Sequence, residues 1–202
     1  MSGTRPREVR LIGGQWKRSK LPVLDRPGLR PTPDRVRETL FNWLGQNLSG
    51  WRVLDAFAGS GALGFEAASR GAAEVTLLEC DAALVASLLA SQARLGAAAL
   101  RVERAEAISW LSRCPAARFD LVLLDPPFDA GLSAPALVAA ERVVAAGGFV
   151  YLESGTPSAS WPQGLQLHRT ARAGAVHSQL FLRSAGADTA PLAPPTPQEE
   201  AK

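Results

Sequence analysis

Two short stretches carry the residue types that could do chemistry. The first, Asp125-Pro126-Pro127-Phe128, follows the apolar run Leu121-Val122-Leu123-Leu124. Such a run suits a parallel strand buried on both faces. Two prolines cannot donate to a sheet ladder, so the strand must stop there and the chain beyond it is stiff. Ligands of open α/β sheets sit beyond the carboxyl ends of the strands. Asp125 and Phe128 are therefore expected at the mouth of a site. An isolated Asp-Pro would read as an ordinary turn; here a second glycine-rich stretch upstream favours function.

That second stretch is Val53-Leu54-Asp55-Ala56-Phe57-Ala58-Gly59-Ser60-Gly61-Ala62-Leu63-Gly64, a strand, a glycine turn and a helix start. Gly59, Gly61 and Gly64 match G-x-G-x-x-G, a weak signal for a dinucleotide by itself. Glycines let the backbone turn sharply and approach a ligand closely. Asp55 stands beside the loop, where it repels a pyrophosphate but tolerates a sulfonium cation and a free amino group. Glu79 ends the next strand and can accept from ribose hydroxyls, which suits NAD and S-adenosylmethionine equally. Glu106 has two even readings, an adenine contact or an acid in the first turn of a helix.

The elements that must hold these residues alternate. Strands are expected at Trp51–Phe57, Glu74–Glu79, Leu100–Glu103, Phe119–Leu124 and Gly148–Glu153. Helices are expected at about Ala62–Arg70, Ala82–Leu95, Ala105–Arg113 and Ala134–Val144. Regular βα alternation means a parallel sheet with right-handed crossovers. Leu165–Ala171 and Val176–Leu182 flank Arg172-Ala173-Gly174 and predict an antiparallel hairpin at the end. Upstream, Val9 to Val23 reads as two short strands around Gly13-Gly14. Thr32 can cap a helix starting at Pro33, with Val36, Leu40, Trp43 and Leu44 at helical spacing.

Composition narrows the classes. The chain has 202 residues, 47% hydrophobic and 20% charged, with two cysteines and two histidines; mean hydropathy is +0.02. That suits one soluble domain with an appendage. No run approaches the roughly 18 apolar residues of a membrane helix, and the basic N-terminus lacks the apolar segment of a signal peptide. Cys80 and Cys114 make no disulfide framework and are expected as buried structural residues in a reducing cytoplasm; two histidines offer no zinc constellation. Net charge is +3, yet residues 1–50 alone carry +6, so the rest is acidic. A basic arm interleaved with Leu11, Ile12, Trp16, Leu21 and Val23 points to a polyanionic partner, most commonly nucleic acid.

With Asp55-x-Phe57-Ala58-Gly59-Ser60-Gly61 and Asp125-Pro126-Pro127-Phe128 in that order, the chain resembles S-adenosylmethionine-dependent methyltransferases of exocyclic amines. To about Leu182 it looks like the RsmD family, which methylates the N2 amine of one guanine in bacterial small-subunit ribosomal RNA. The more specific part of the resemblance is N-terminal. It comprises Arg10-Leu11-Ile12-Gly13-Gly14-Gln15-Trp16, Leu21-Pro22, and Gly28-Leu29-Arg30-Pro31-Thr32 running into Asp34 to Leu44.

The resemblance implies a Rossmann-like α/β fold of class I. Its sheet would be mostly parallel and seven-stranded, with an antiparallel C-terminal hairpin and a small N-terminal hairpin-and-helix extension. It divides the chain it covers into a basic RNA-binding extension (1–48) and a methyltransferase core (49–183); the Ala/Pro-rich, polar composition beyond reads as a disordered tail (184–202). Asp55, Phe57, Ala58, Gly59, Gly61 and Glu79, with Glu106, would bind the cofactor; Asp125, Pro126, Pro127 and Phe128 would be catalytic. Asp125 and the Pro126 carbonyl would accept hydrogen bonds from the target amine, and Phe128 would stack on the unstacked base. Arg10, Lys17, Arg18, Lys20, Arg30, Arg35 and Arg37 would face RNA, with Trp16 stacking or packing. The implied partner is an assembled or partly assembled small subunit, met by a monomer with no membrane contact.

Rival readings fit less of the sequence. A DNA N6-adenine methyltransferase shares both motifs. A protein glutamine methyltransferase would ask for Asn in place of Asp125, and a cytosine C5 enzyme for Cys in place of Phe128. An NAD oxidoreductase leaves the Asp-Pro-Pro-Phe turn without a role, and a purely RNA-binding module has no use for Asp125.

Overall fold

Strand and helix alternate from Arg52 onward and build one seven-stranded sheet. A computed structural model of the chain describes residues 7–26 and 33–185. The elements are β1 (Arg7–Arg10), β2 (Lys20–Val23), α1 (Asp34–Trp43), β3 (Arg52–Asp55), α2 (Ala62–Ser69), β4 (Glu74–Glu79) and α3 (Ala82–Leu95). They continue as β5 (Leu100–Arg104), α4 (Ala107–Arg113), β6 (Phe119–Leu124), α5 (Ser133–Val143), β7 (Val144–Ser154), β8 (Leu165–Ala173) and β9 (Val176–Arg183).

The order across the sheet is β5-β4-β3-β6-β7-β9-β8. Strands β5 through β7 are parallel, and β9 and β8 close the edge antiparallel. The chain moves outward from β3 to β5 and then returns to lay β6 on the other side of β3. The order therefore reverses between β3 and β6, where a doubly wound sheet opens a ligand crevice. Asp55 ends β3 there, and Asp125 directly follows β6.

Alternation along the strands divides the core into two layers. Val53, Leu121, Leu123 and Tyr151 face the layer formed with α1, α2, α3 and the first hairpin. Leu54, Val122, Leu124, Val150 and Leu152 face α4 and α5. Asp55, Asp125 and Glu153 belong by this period to the first face. At the opposite end of the sheet Arg52 grips Asp120 with Nη2–Oδ1 at 2.9 Å and Nε–Oδ2 at 3.1 Å, tying β3 to β6.

The N-terminal hairpin departs from the expected turn at Gly13-Gly14. Its strands are short, and residues 11–19 form a long connection laid on the end of α2. Gln15 N–H donates to the Ser69 carbonyl (2.8 Å), Trp16 N–H to Ser69 Oγ (2.9 Å), and Ser69 Oγ to the Gly13 carbonyl (2.6 Å). These bonds occupy backbone groups that a tight turn would have paired locally. Gly14 has φ +72°, and a Cβ on it would lie 1.8 Å from the Ser69 carbonyl oxygen, so the glycine marks a docking contact. Helix α1 starts at Asp34 after Pro33, with no side-chain cap among the described residues; Thr32, expected to cap it, and the tail from 186 onward lie outside them.

Candidate active site

Asp55 is 1% exposed at the end of β3. Its Oδ2 accepts from Gly64 N–H at 2.9 Å, whereas Oδ1 has no hydrogen-bond partner among the described residues. Glycine at 64 allows this close approach, because a Cβ there would lie 2.1 Å from Leu77 Cδ2 and 3.1 Å from Asp55 Oδ2 itself. Burial pushes the Asp55 carboxyl up to about 7; the Gly64 N–H opposes that, and the charge of Asp125 adds to it.

The glycine loop turns with Gly59 at φ +52° and Gly61 at φ +80°, a region closed to most side chains. Gly61 leads directly into α2. Gly59 N–H donates to Glu79 Oε2 at 3.0 Å, and the other oxygen of Glu79 accepts from Asp81 N–H at 2.8 Å. The carboxylate at the end of β4 is thus braced against the loop, with lone pairs to spare for a ligand. Ala58 is buried and Phe57 packs against the α4–α5 layer. Glu106 is the N-cap of α4, accepting from Ile108 N–H (2.9 Å) and Ser109 N–H (2.7 Å), so both its oxygens are engaged.

Across the crevice Asp125 is half-buried, Pro126 buried, and Pro127 exposed. Phe128, 39% exposed, opens a short 3₁₀ turn to Ala130. Its ring rests on the backbone after β7: a Cβ on Gly155 would meet Phe128 Cδ2 at 3.2 Å. Sequence reasoning missed what lies beside it. Glu153, 2% exposed, is bonded by the Tyr151 hydroxyl at 3.0 Å, and that hydroxyl also bonds Ser178 Oγ at 3.0 Å. The signal was present, since Tyr151-Leu152-Glu153 is another apolar strand ending in an acid.

Asp55, Asp125, Glu79 and Glu153 line the crevice with carboxyl groups, with no cation among them, so any charge they carry is negative. A pyrophosphate would be repelled here, while a ligand carrying an ammonium and a sulfonium supplies the charge and the donors that the Asp55 carboxylate lacks. The residues present therefore fit S-adenosylmethionine better than NAD.

The basic residues expected to face RNA separate into groups. Lys17, Arg18 and Arg35 are exposed. Arg10 pairs with Asp34 at 3.4 Å and Lys20 with Glu8 at 2.7 Å, all with exposed side chains. Arg30 lies outside the described residues. Arg37 requires correction, because its side chain is fully buried. It reaches Glu66 (3.3 Å), Asp34 (2.6 Å) and the Arg10 carbonyl (2.8 Å), so it clamps the arm to α2. Trp16 packs against the core. Cys114 is buried as expected, but Cys80 is exposed. No helix among the described residues is long and apolar enough to cross a membrane.

A family model described as Conserved hypothetical protein 95 matches residues 9–182. Ribosomal RNA small subunit methyltransferase D of Escherichia coli (strain K12) is 45% identical over 184 residues, spanning 88% of this chain and 91% of that protein. The protein of the same name from Haemophilus influenzae is 47% identical over 136 residues, 64% of this chain and 69% of that one. The solved structure of Escherichia coli yhhF superposes with a TM-score of 0.79 at 44% identity, covering 88% of this chain and 99% of that chain.

Proposed function

The chain belongs to the Conserved hypothetical protein 95 family, the family of ribosomal RNA small subunit methyltransferase D, and we propose that it methylates the exocyclic N2 amine of one guanine in small-subunit ribosomal RNA. S-adenosylmethionine would be the donor. One observation carries this reading: Asp55 and Asp125 end adjacent strands at the switch point of the sheet, one beside a glycine loop and one in a Pro-Pro-Phe turn.

The Gly59 and Gly61 backbone, Asp55 and Glu79 would hold the cofactor, which supplies a methyl group on a positively charged sulfur. Phe57 and Ala58 shape the loop, and Glu106 contributes by fixing the start of α4. A guanine N2 lone pair is delocalised into the ring, so the nitrogen is a poor nucleophile at rest. Asp125 and the Pro126 carbonyl each accept a hydrogen bond from the amine, which draws it toward tetrahedral geometry and aims the lone pair. Phe128, exposed on its rigid turn, stacks on the base once it leaves its neighbours. The alkylated nitrogen then sheds a proton toward Asp125, directly or through water. The exposed cations of the arm, Arg10, Lys17, Arg18, Lys20 and Arg35, would meet phosphate. The substrate would be an assembled or partly assembled small subunit in the cytoplasm, met by a monomer.

Transfer of labelled methyl to under-methylated small subunits, free ribosomal RNA and duplex DNA tests the reading. N2-methylguanine in RNA, lost in Asp125→Ala, is the expected result. Label on DNA adenine would replace the substrate, and no transfer to any of the three would remove the assignment.

A further inference from the structure

A carboxyl group with no assigned role sits beside Asp125. Leu124 and Leu152 are register partners on the parallel strands β6 and β7. The next residues, Asp125 and Glu153, therefore leave neighbouring strand ends on the same face, with backbones about 4.8 Å apart. Glu153 is 2% exposed. Polar and charged groups from several elements act on it. From β7 comes the Tyr151 hydroxyl at 3.0 Å, and from β9 Ser178, its antiparallel register partner. The charges of Asp125 at the end of β6, of Asp55 at the end of β3 and of Arg37 on α1 also act on it.

Resting on the methyl-transfer reading, we propose that Glu153 is a positioning residue that keeps its proton, so that Asp125 is the one carboxylate of the pair that ionises and receives the target amine. Two carboxyl groups this close cannot both ionise without a large cost, and the proton settles on the one further from water. Glu153 is buried, whereas Asp125 is only half-buried at the crevice. Burial first, and the charge of Asp125 next, push Glu153 well above the ordinary glutamate range, while Tyr151 and Arg37 oppose that rise. Were Glu153 ionised instead, its charge would drive the proton onto Asp125. A protonated Asp125 loses acceptor capacity at the atoms the amine must reach.

A carboxyl titration of the full chain carrying carbon-13 glutamate reads Glu153 directly and needs no methyl transfer; Glu153→Gln fixes the assignment. The Glu153 resonance should titrate well above those of exposed glutamates. Asp125→Asn should weaken its hold on the proton by about tenfold, and Tyr151→Phe, which removes a donor to the carboxylate form, should strengthen it. Glu153 titrating with the exposed glutamates, or standing unmoved in Asp125→Asn, overturns the proposal. In the methyl-transfer assay Glu153→Ala should lose about tenfold or more in kcat, and the neutral, similarly shaped Glu153→Gln should recover most of it. Gln failing as badly as Ala would mean that the ionised form is needed, which also overturns the proposal. Wild type that moves no methyl to any RNA would instead retire the proposed function and leave the titration to decide the charge state of the pair.

Discussion

Asp55 carries the clearest pH dependence of any single residue in the crevice. An aspartate in the unfolded chain titrates near 3.9, whereas burial lifts this one to about 7 in the fold. Between those values the folded chain holds a proton that the unfolded chain has lost, so stability from this residue is full below about pH 4 and falls as the pH rises to about 7. The whole change is worth about 4 kcal/mol. Urea unfolding of wild type and Asp55→Asn from pH 4 to 8 should show wild type losing stability relative to the variant by a few kcal/mol; parallel curves would reject this. A cationic cofactor would restore the charge of Asp55, so binding at pH 6.5 should expel a proton. Calorimetry of S-adenosylmethionine binding in two buffers of different ionisation heat should see that proton for wild type and not for Asp55→Asn. Asp55 and Asp125 were legible in the sequence because each ends an apolar run beside a glycine or proline turn. Glu153 ends a similar run, and Gly155 and Pro157 follow it, but its place beside Asp125 appears only once β7 is paired with β6.

At the scale of elements, the arm is held by charge as well as by apolar contact. Glu66, in the middle of α2 and fully buried, accepts from Ile12 N–H (2.8 Å), from Arg37 Nη1 (3.3 Å) and from Arg70 Nε (3.0 Å). It thereby joins the hairpin connection, α1 and the helix that starts at the cofactor loop. Glu66→Ala leaves the buried Arg37 guanidinium with the half-exposed Asp34 as its remaining carboxylate and takes the carboxylate from Arg70, and should cost about 3–5 kcal/mol. Arg37→Met, which removes the charge and keeps an apolar stem while Arg70 still pairs with Glu66, should cost clearly less. Midpoints of urea unfolding at unchanged slope separate the two; equal losses would mean that packing, not the buried charge, dominates. None of this was readable beforehand. Gly13-Gly14 looked like a local turn because its true partner, Ser69, lies far along the chain. Arg37 looked like one more surface cation because composition does not reveal what a helix face meets. The strands and helices of the sheet were legible almost to their ends, since their alternation is a local pattern and glycine, proline and acids punctuate it.

For the molecule as a whole, the sequence suggested an extension set apart from a core, and the packing joins them. Val9, Leu11, Leu21, Val23, Leu40 and Phe41 lie in the same buried cluster as Val53, Leu63 and Leu123. A basic arm rooted in the core in this way holds its cations in fixed positions relative to the crevice, which a flexible tail could not do. Lys17 and Arg18 are exposed and form no ion pair among the described residues, and the Lys20 partner Glu8 is itself exposed, so phosphate can replace it cheaply. Replacing Lys17, Arg18 and Lys20 together with Ala should therefore leave the urea midpoint almost unchanged. It should weaken RNA binding and reduce the slope of log K against log salt by about 2, three contacts at roughly 0.7 each on single-stranded RNA. Transfer at saturating RNA should be much less affected than affinity, because the crevice is untouched. An unchanged salt slope would move the phosphate contacts elsewhere on the surface, while a lost urea midpoint would mean that these lysines and the arginine hold the hairpin rather than the substrate.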